Sequence, residues 1–135
     1  MGERREELAQ GATDYVLEHG LIGLSLRPLA AALGTSDRML LYHFSDKDDL
    51  VATVLRISTD RSVAGIRAVG PSADVRQAVL DLWAVVSAPE QARCQRLYVE
   101  AAFMGLQLDG PLAKPEVVAV SVRDLADAVA GLTAA

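Results

Sequence analysis

Residues 24–50 read LSLRPLAAALGTSDRMLLYHFSDKDDL. The spacing in this stretch predicts two short helices joined at a glycine, followed by the capped start of a third. Leu26, Leu29, Ala30 and Leu33 recur at helical intervals, with Ser25 in the N-cap position ahead of them. Pro28 falls in the first turn, where its missing N–H costs little. Gly34 can adopt the left-handed conformation that ends a helix, and Thr35 or Ser36 caps the next one. Ser45 to Asp48 has the form of a capping box, with Asp at its fourth position where Glu is usual. This is the layout of a helix-turn-helix, a motif whose second helix enters the major groove.

A helical wheel tests the middle helix. Leu40 and Phe44 lie four apart on one face, with Ser36 near it. At about 100° per residue, Arg38, Tyr42 and Met39 point the opposite way, and His43 flanks them. A merely solvated face more often carries Lys, Glu or Ala. An Arg can fork to guanine O6 and N7, a Met can pack on a thymine methyl, and a Tyr hydroxyl can reach a phosphate. The competing interpretation is an ordinary three-helix subdomain in which Arg38 and Tyr42 pair by accident.

The remainder of the chain bounds the answer. Of its 135 residues, 51% are hydrophobic and 23% charged, a balance suited to a packed core and not to disorder. No apolar run approaches the roughly 20 residues that span a bilayer. MGERREELAQ has no apolar segment behind its charges, so no secretory signal is expected and the cytoplasm is the expected location. The single cysteine, Cys94, excludes an internal disulfide framework and any cysteine-rich metal site. Net charge is −5, and the first sixty residues hold six cations against ten carboxylates. A nucleic-acid binder of this composition depends on a few placed cations, and its non-specific binding is weak.

Working outward, residues 3–19 are predicted to form a helix with Leu8, Ala12, Tyr15 and Val16 as its apolar stripe and Gly20 at its end. Arg4 and Arg5 at its start suit either a phosphate contact or a solvated first turn. The segment LIGLSL, residues 21–26, reads as an apolar connector closing a three-helix core.

The pattern EELAQGATDYVLEHGLIGLSLRPLAAALGTSDRMLLYHFSDKDDL resembles the DNA-binding head of TetR-family transcriptional regulators. The landmarks are Ala12, Gly20, Ser25, Leu29, Ala30, Gly34, Ser36, Leu40, His43, Phe44, Lys47 and Leu50. The resemblance implies an all-α fold: a three-helix head over residues 1–45, then a connecting helix and a small helical effector and dimerisation domain over 46–135. It implies a sequence-specific regulator, not an enzyme, acting as a homodimeric repressor. Such a repressor is released from a palindromic double-stranded operator by a small, mostly apolar ligand, without cofactor, metal or membrane. DNA contacts are then implied for Ser25, Arg27, Thr35, Ser36, Arg38, Met39, Tyr42, His43 and Lys47. Lys47 is equally readable as part of a surface charge cluster with Asp46, Asp48 and Asp49. One position departs from the pattern: the family's usual phosphate-contacting Tyr is Leu41 here, and the Tyr stands one place later as Tyr42.

The second half carries weaker signals. A long helix is predicted from Asp46 to about Val69, with Gly65 and Gly70-Pro71 bracketing its end. Ser72 is the expected cap of a helix with a Val75, Val79, Leu82 and Val86 stripe, beside which lies Trp83. Ser87 to Glu90 reads as a capping box for a helix bearing Leu97, Ala101, Met104 and Leu108. A last helix from about Pro115 carries Val118, Val122, Leu125, Val129 and Leu132, a repeat suited to a subunit interface or to internal core. Trp83, Cys94, Tyr98, Phe103, Met104 and Gln107 are either core fillers or the lining of a ligand cavity, Gln95 being a further polar candidate. Family members run longer and dimerise through two C-terminal helices; this chain reaches Thr133-Ala134-Ala135 after what reads as the first of them, implying an abbreviated effector domain or a shortened chain. His19, His43 and Cys94 have no catalytic or metal-ligand spacing, which argues against an enzyme. A helical adaptor that uses the same head to bind protein is the alternative function.

Overall fold

The computed structural model describes residues 2–107 and Ala130, and of residues 106 and 107 the backbone alone. The described residues form six helices and no strand. These are α1 (Gly2–His19), α2 (Leu26–Ala32), α3 (Asp37–His43), α4 (Lys47–Arg67), α5 (Val75–Val86) and α6 (Pro89–Gln107). The all-α architecture that the resemblance implies is the one found among the described residues, and no helix among them is long and apolar enough to cross a membrane.

One core cluster runs through α1, α2, α3, α4 and α6. Leu8, Ala12 and Val16 of α1 meet Leu29 of α2, Leu40 of α3, Leu50 and Val54 of α4, and Cys94 and Leu97 of α6. The apolar set therefore continues past residue 45, and α4 packs with the head and with α6 at once. That is why α4 is buried on most sides, with even Thr53, Ser58, Thr59 and Ser62 enclosed. Gly65, expected to help end the helix, lies inside it. A Cβ there would stand 2.8 Å from Gln91 Nε2, so the glycine admits α6 at close range.

Several helix starts differ from expectation because neighbouring Ser and Asp side chains compete for the same orphan N–H groups. The box before α4 sits one place later than Ser45–Asp48. Asp46 Oδ1 accepts from Asp49 N at 2.8 Å, and Asp49 Oδ2 accepts from Ser45 N at 3.0 Å. Asp74, not Ser72, caps α5 by accepting from Gln77 N at 2.8 Å, while the Ser72 hydroxyl donates to Asp81. Ser87 closes α5 instead of opening α6, its hydroxyl donating to Trp83 O at 2.5 Å. Ser25 occupies the N-cap of α2 with no side-chain capping bond.

The stripe expected on α5 is also rotated. Ala78 is buried, and Leu82 and Val85 pack against Val63 and Ile66 of α4, whereas Val75 and Val79 are exposed. On α6 the expected face is correct as far as it is described, with Leu97 and Ala101 buried and Met104 packed against the core.

Candidate nucleic-acid interface

Helices α2 and α3 are joined by a turn that local chemistry dictates. Gly34 has φ +70°, which a side chain would resist, and it ends α2 in paired bonds. Gly34 N donates to Ala31 O at 3.2 Å and Thr35 N to Ala30 O at 2.9 Å, the two bonds of a Schellman motif. Ser36 then takes extended backbone, and its Oγ accepts from Met39 N at 3.1 Å to start α3.

On α3, Leu40 and Phe44 are each only 1% exposed and fix the roll of the helix. Arg38, Met39, Leu41 and Tyr42 are exposed, Tyr42 at 65%, and His43 is half-buried. Arg38 and Tyr42 lie along the crest, one turn apart, with Leu41 and Met39 on its two flanks. The ring of His43 meets that of Tyr42 edge-on at 5.1 Å. Around this crest, Ser25, Arg27, Ser36 and Lys47 are exposed, while Thr35 is half-buried.

The charges divide into two groups. Arg27, Arg38 and Lys47 enter no ion pair among the described residues. Of the three carboxylates next to Lys47, Asp46 and Asp49 are committed to backbone N–H groups at the start of α4. Arg5 is engaged inward instead. Its Nε donates to His43 O at 3.1 Å, its Cζ lies 4.6 Å from the centre of the Phe44 ring, and its Nη2 is 3.8 Å from Asp49 Oδ2. The phosphate contact considered for Arg5 is therefore replaced by a brace between α1, the end of α3 and the start of α4. A sequence signal existed, since Arg5 falls on the same helical face as Leu8, Ala9 and Ala12. Arg4 pairs with Glu7 at 3.1 Å on the surface.

The effector-half candidates do not face one enclosed volume. Trp83 and Phe103 are 69% and 51% exposed, Cys94 is buried, and Tyr98 and Met104 are half-buried. The Gln107 side chain, Leu108, Val118, Val122, Leu125, Val129 and Leu132 lie outside the described residues. An open cleft of about 560 Å³ does lie between α1, α4 and the start of α6, lined by Asp14, Leu17, Arg61, Pro89 and Arg93 among others. A smaller hollow of about 140 Å³ adjoins it and reaches Gln91 and Cys94. No group of three or more His, Cys, Asp or Glu able to hold a metal occurs among the described residues.

The family model for bacterial regulatory proteins of the TetR family matches residues 9–54, from the middle of α1 into α4. Over 53 residues the chain is 38% identical to the HTH-type transcriptional repressor AcnR of Corynebacterium diphtheriae, covering 39% of this chain and 28% of that one. Residues 9–54 thus resemble the DNA-binding head of TetR-family regulators. An uncharacterised HTH-type transcriptional regulator of Mycobacterium tuberculosis is 34% identical over 73 residues, or 54% of this chain and 31% of the relative. The matched stretches thus span less than a third of these relatives. At the level of fold, the likeness covers 97% of the chain in two solved structures. The multidrug binding protein EbrR, complexed with imidazole, matches with a TM-score of 0.70 at 24% identity over 73% of its length. A TetR family transcription regulator from Marinobacter aquaeolei matches with 0.65 at 20% identity over 69% of its length. TetR-family regulators are DNA-binding transcription factors and not enzymes.

Proposed function

We propose that this chain is a TetR-family, sequence-specific DNA-binding transcriptional repressor, with residues 1–45 as its reading head and 46–135 as its effector and dimerisation part. The observation that carries this reading is the crest of α3. Arg38 and Tyr42 are presented outward on a helix whose roll is fixed by Leu40 and Phe44, beside Arg27 and Lys47, which no ion pair holds among the described residues. In this reading Thr35, Ser36, Arg38 and Met39 face the groove, with Tyr42 and His43 beside them, and Ser25, Arg27 and Lys47 hold the phosphate backbone. Two copies place their α3 helices about one turn of DNA apart on a palindrome.

Two similar proteins extend the proposal: AcnR is a transcriptional repressor and EbrR a multidrug binding protein. A small, mostly apolar ligand bound in the effector half shifts α4, which shares its core with the head, and the two heads no longer match their half-sites. Linkage then requires DNA and ligand to weaken each other by the same factor. The test is selection from a random duplex library, followed by fluorescence anisotropy against salt. A selected palindrome whose affinity falls steeply with salt supports the reading. If no sequence is enriched at low salt, the head instead serves as a protein-binding adaptor.

A further inference from the structure

Helix α1 is fastened at both ends, and each end holds a different part of the molecule. At the start of α1, Arg5 donates to the carbonyl of His43, the last residue of α3, and its guanidinium lies over Phe44. A carbonyl in the last turn of a helix has no partner within it, so this bond fills a vacancy that α3 cannot fill itself. At the other end, two side chains of α6 close on the exit from α1. Arg96 Nη2 donates to Leu17 O at 2.5 Å, placing a cation at the negative end of the helix. The Glu100 carboxylate accepts from Leu21 N, just past the helix, and lies 3.4 Å from Arg96 Nε.

The turn is shaped to receive that carboxylate. Gly20 has φ +92°, and a Cβ there would stand 3.4 Å from both Glu100 oxygens. The Glu100 side chain is only 15% exposed. A carboxylate buried to that degree costs stability unless its bonds are made, so packing alone does not explain a Glu at this position. Between the two fastenings α1 is an unbroken helix, with Leu8, Ala9, Ala12, Thr13 and Val16 buried along it. From Arg5 to Leu17 it spans about 18 Å at about 1.5 Å per residue.

We propose that α1 is a strut, and that Arg96 and Glu100 are positioning residues that set α3 through it without meeting DNA. Its meaning for binding rests on the repressor reading above, but the strut itself is a property of the free protein. It gives α6 a hold on the recognition helix that runs through α1, alongside α4, to which α1 is also tied by Arg5–Asp49 and Arg61–Asp14.

Per-residue amide hydrogen exchange on the free, full chain tests it, using Glu100→Ala and Glu100→Gln. Gln keeps a neutral acceptor for Leu21 N–H and serves where Ala weakens folding. Both variants are expected to speed exchange at Leu21 and, by about fivefold, at Leu40 to Phe44, relative to the buried Val54 amide of α4. Acceleration confined to Leu21, or equal acceleration at α3 and Val54, overturns the strut. On a selected operator, Glu100→Gln is further expected to weaken binding about 2- to 30-fold without changing base preference. Changed exchange at α3 with no operator selected at all would uphold the strut and reject the repressor reading.

Discussion

Ser62 Oγ donates to Gln91 Oε1 at 2.7 Å, and Gln91 Nε2 returns a bond to the Ser62 carbonyl at 3.1 Å. This reciprocal pair joins α4 to α6 in a site where Gln91 is 7% exposed. The same Nε2 occupies the space above Gly65. Replacing a helical glycine by alanine ordinarily gains about 0.5–1 kcal/mol. Here the new methyl displaces a buried amide from its bonds, at about 1–3 kcal/mol. The second effect wins. Gly65→Ala is expected to lower stability by about 1 kcal/mol in urea unfolding, and adding Gln91→Ala to relieve the crowding, so that the two changes are not additive.

The α3 cap gives a prediction on stability alone. Ser36 Oγ accepts from Met39 N, and the Gly34 turn leads directly into it. Ser36→Ala is expected to cost about 0.5–2 kcal/mol, and Ser36→Asp to retain most of the stability. Thermal denaturation followed by circular dichroism checks the order. Equal stability of the Ala variant and the parent would mean that α3 is held by Leu40 and Phe44 without its cap.

Arg38 and Lys47 separate two kinds of contact. Both are exposed and neither is in an ion pair among the described residues, so truncating either is expected to leave folding within about 0.5 kcal/mol. Arg38→Ala is expected to cost about 1–3 kcal/mol in operator affinity and to relax preference at one base position. Lys47→Ala is expected to weaken all sequences alike and to reduce the salt slope by about 1. Anisotropy on a panel of single-base operator variants distinguishes them. A flat loss for Arg38→Ala would move Arg38 from base reading to the backbone.

The parts of this fold that were legible share one property: their rules act within four residues along the chain. The glycine turn, the Leu40 and Phe44 face and the exposed Arg38 and Tyr42 crest follow from such local spacing. Cap positions slipped by one or two residues where Ser45 and Asp46, or Ser72 and Asp74, compete at equal local merit. The roll of α5 was not legible, because its apolar residues cover a wide arc and only the placement of Val63 and Ile66 selects Ala78, Leu82 and Val85. The partners of Arg5, Arg96 and Glu100 were not legible, because they lie 38 to 79 residues away.

Leu41 offers the sharpest test of the interface. It is 48% exposed on α3 at the position where the family's usual Tyr stands, and Tyr42 follows it at 65%. A leucine there makes no hydrogen bond to phosphate, so in the proposed DNA-binding mode that backbone contact is absent unless Tyr42 supplies it from about 100° further round the helix. Leu41→Tyr adds a hydroxyl at an exposed site that packs little, so folding is expected to change by less than about 0.5 kcal/mol. If the phosphate reach is intact, Leu41→Tyr is expected to tighten binding to all sequences by about 0.5–1.5 kcal/mol, the worth of one hydrogen bond. Tyr42→Phe separates the alternatives. A uniform loss of the same size assigns the backbone contact to Tyr42, whereas a loss at a single base position makes Tyr42 part of the reading surface. No change in either variant would remove this flank of α3 from the interface, leaving Arg38 and Met39 to carry base recognition.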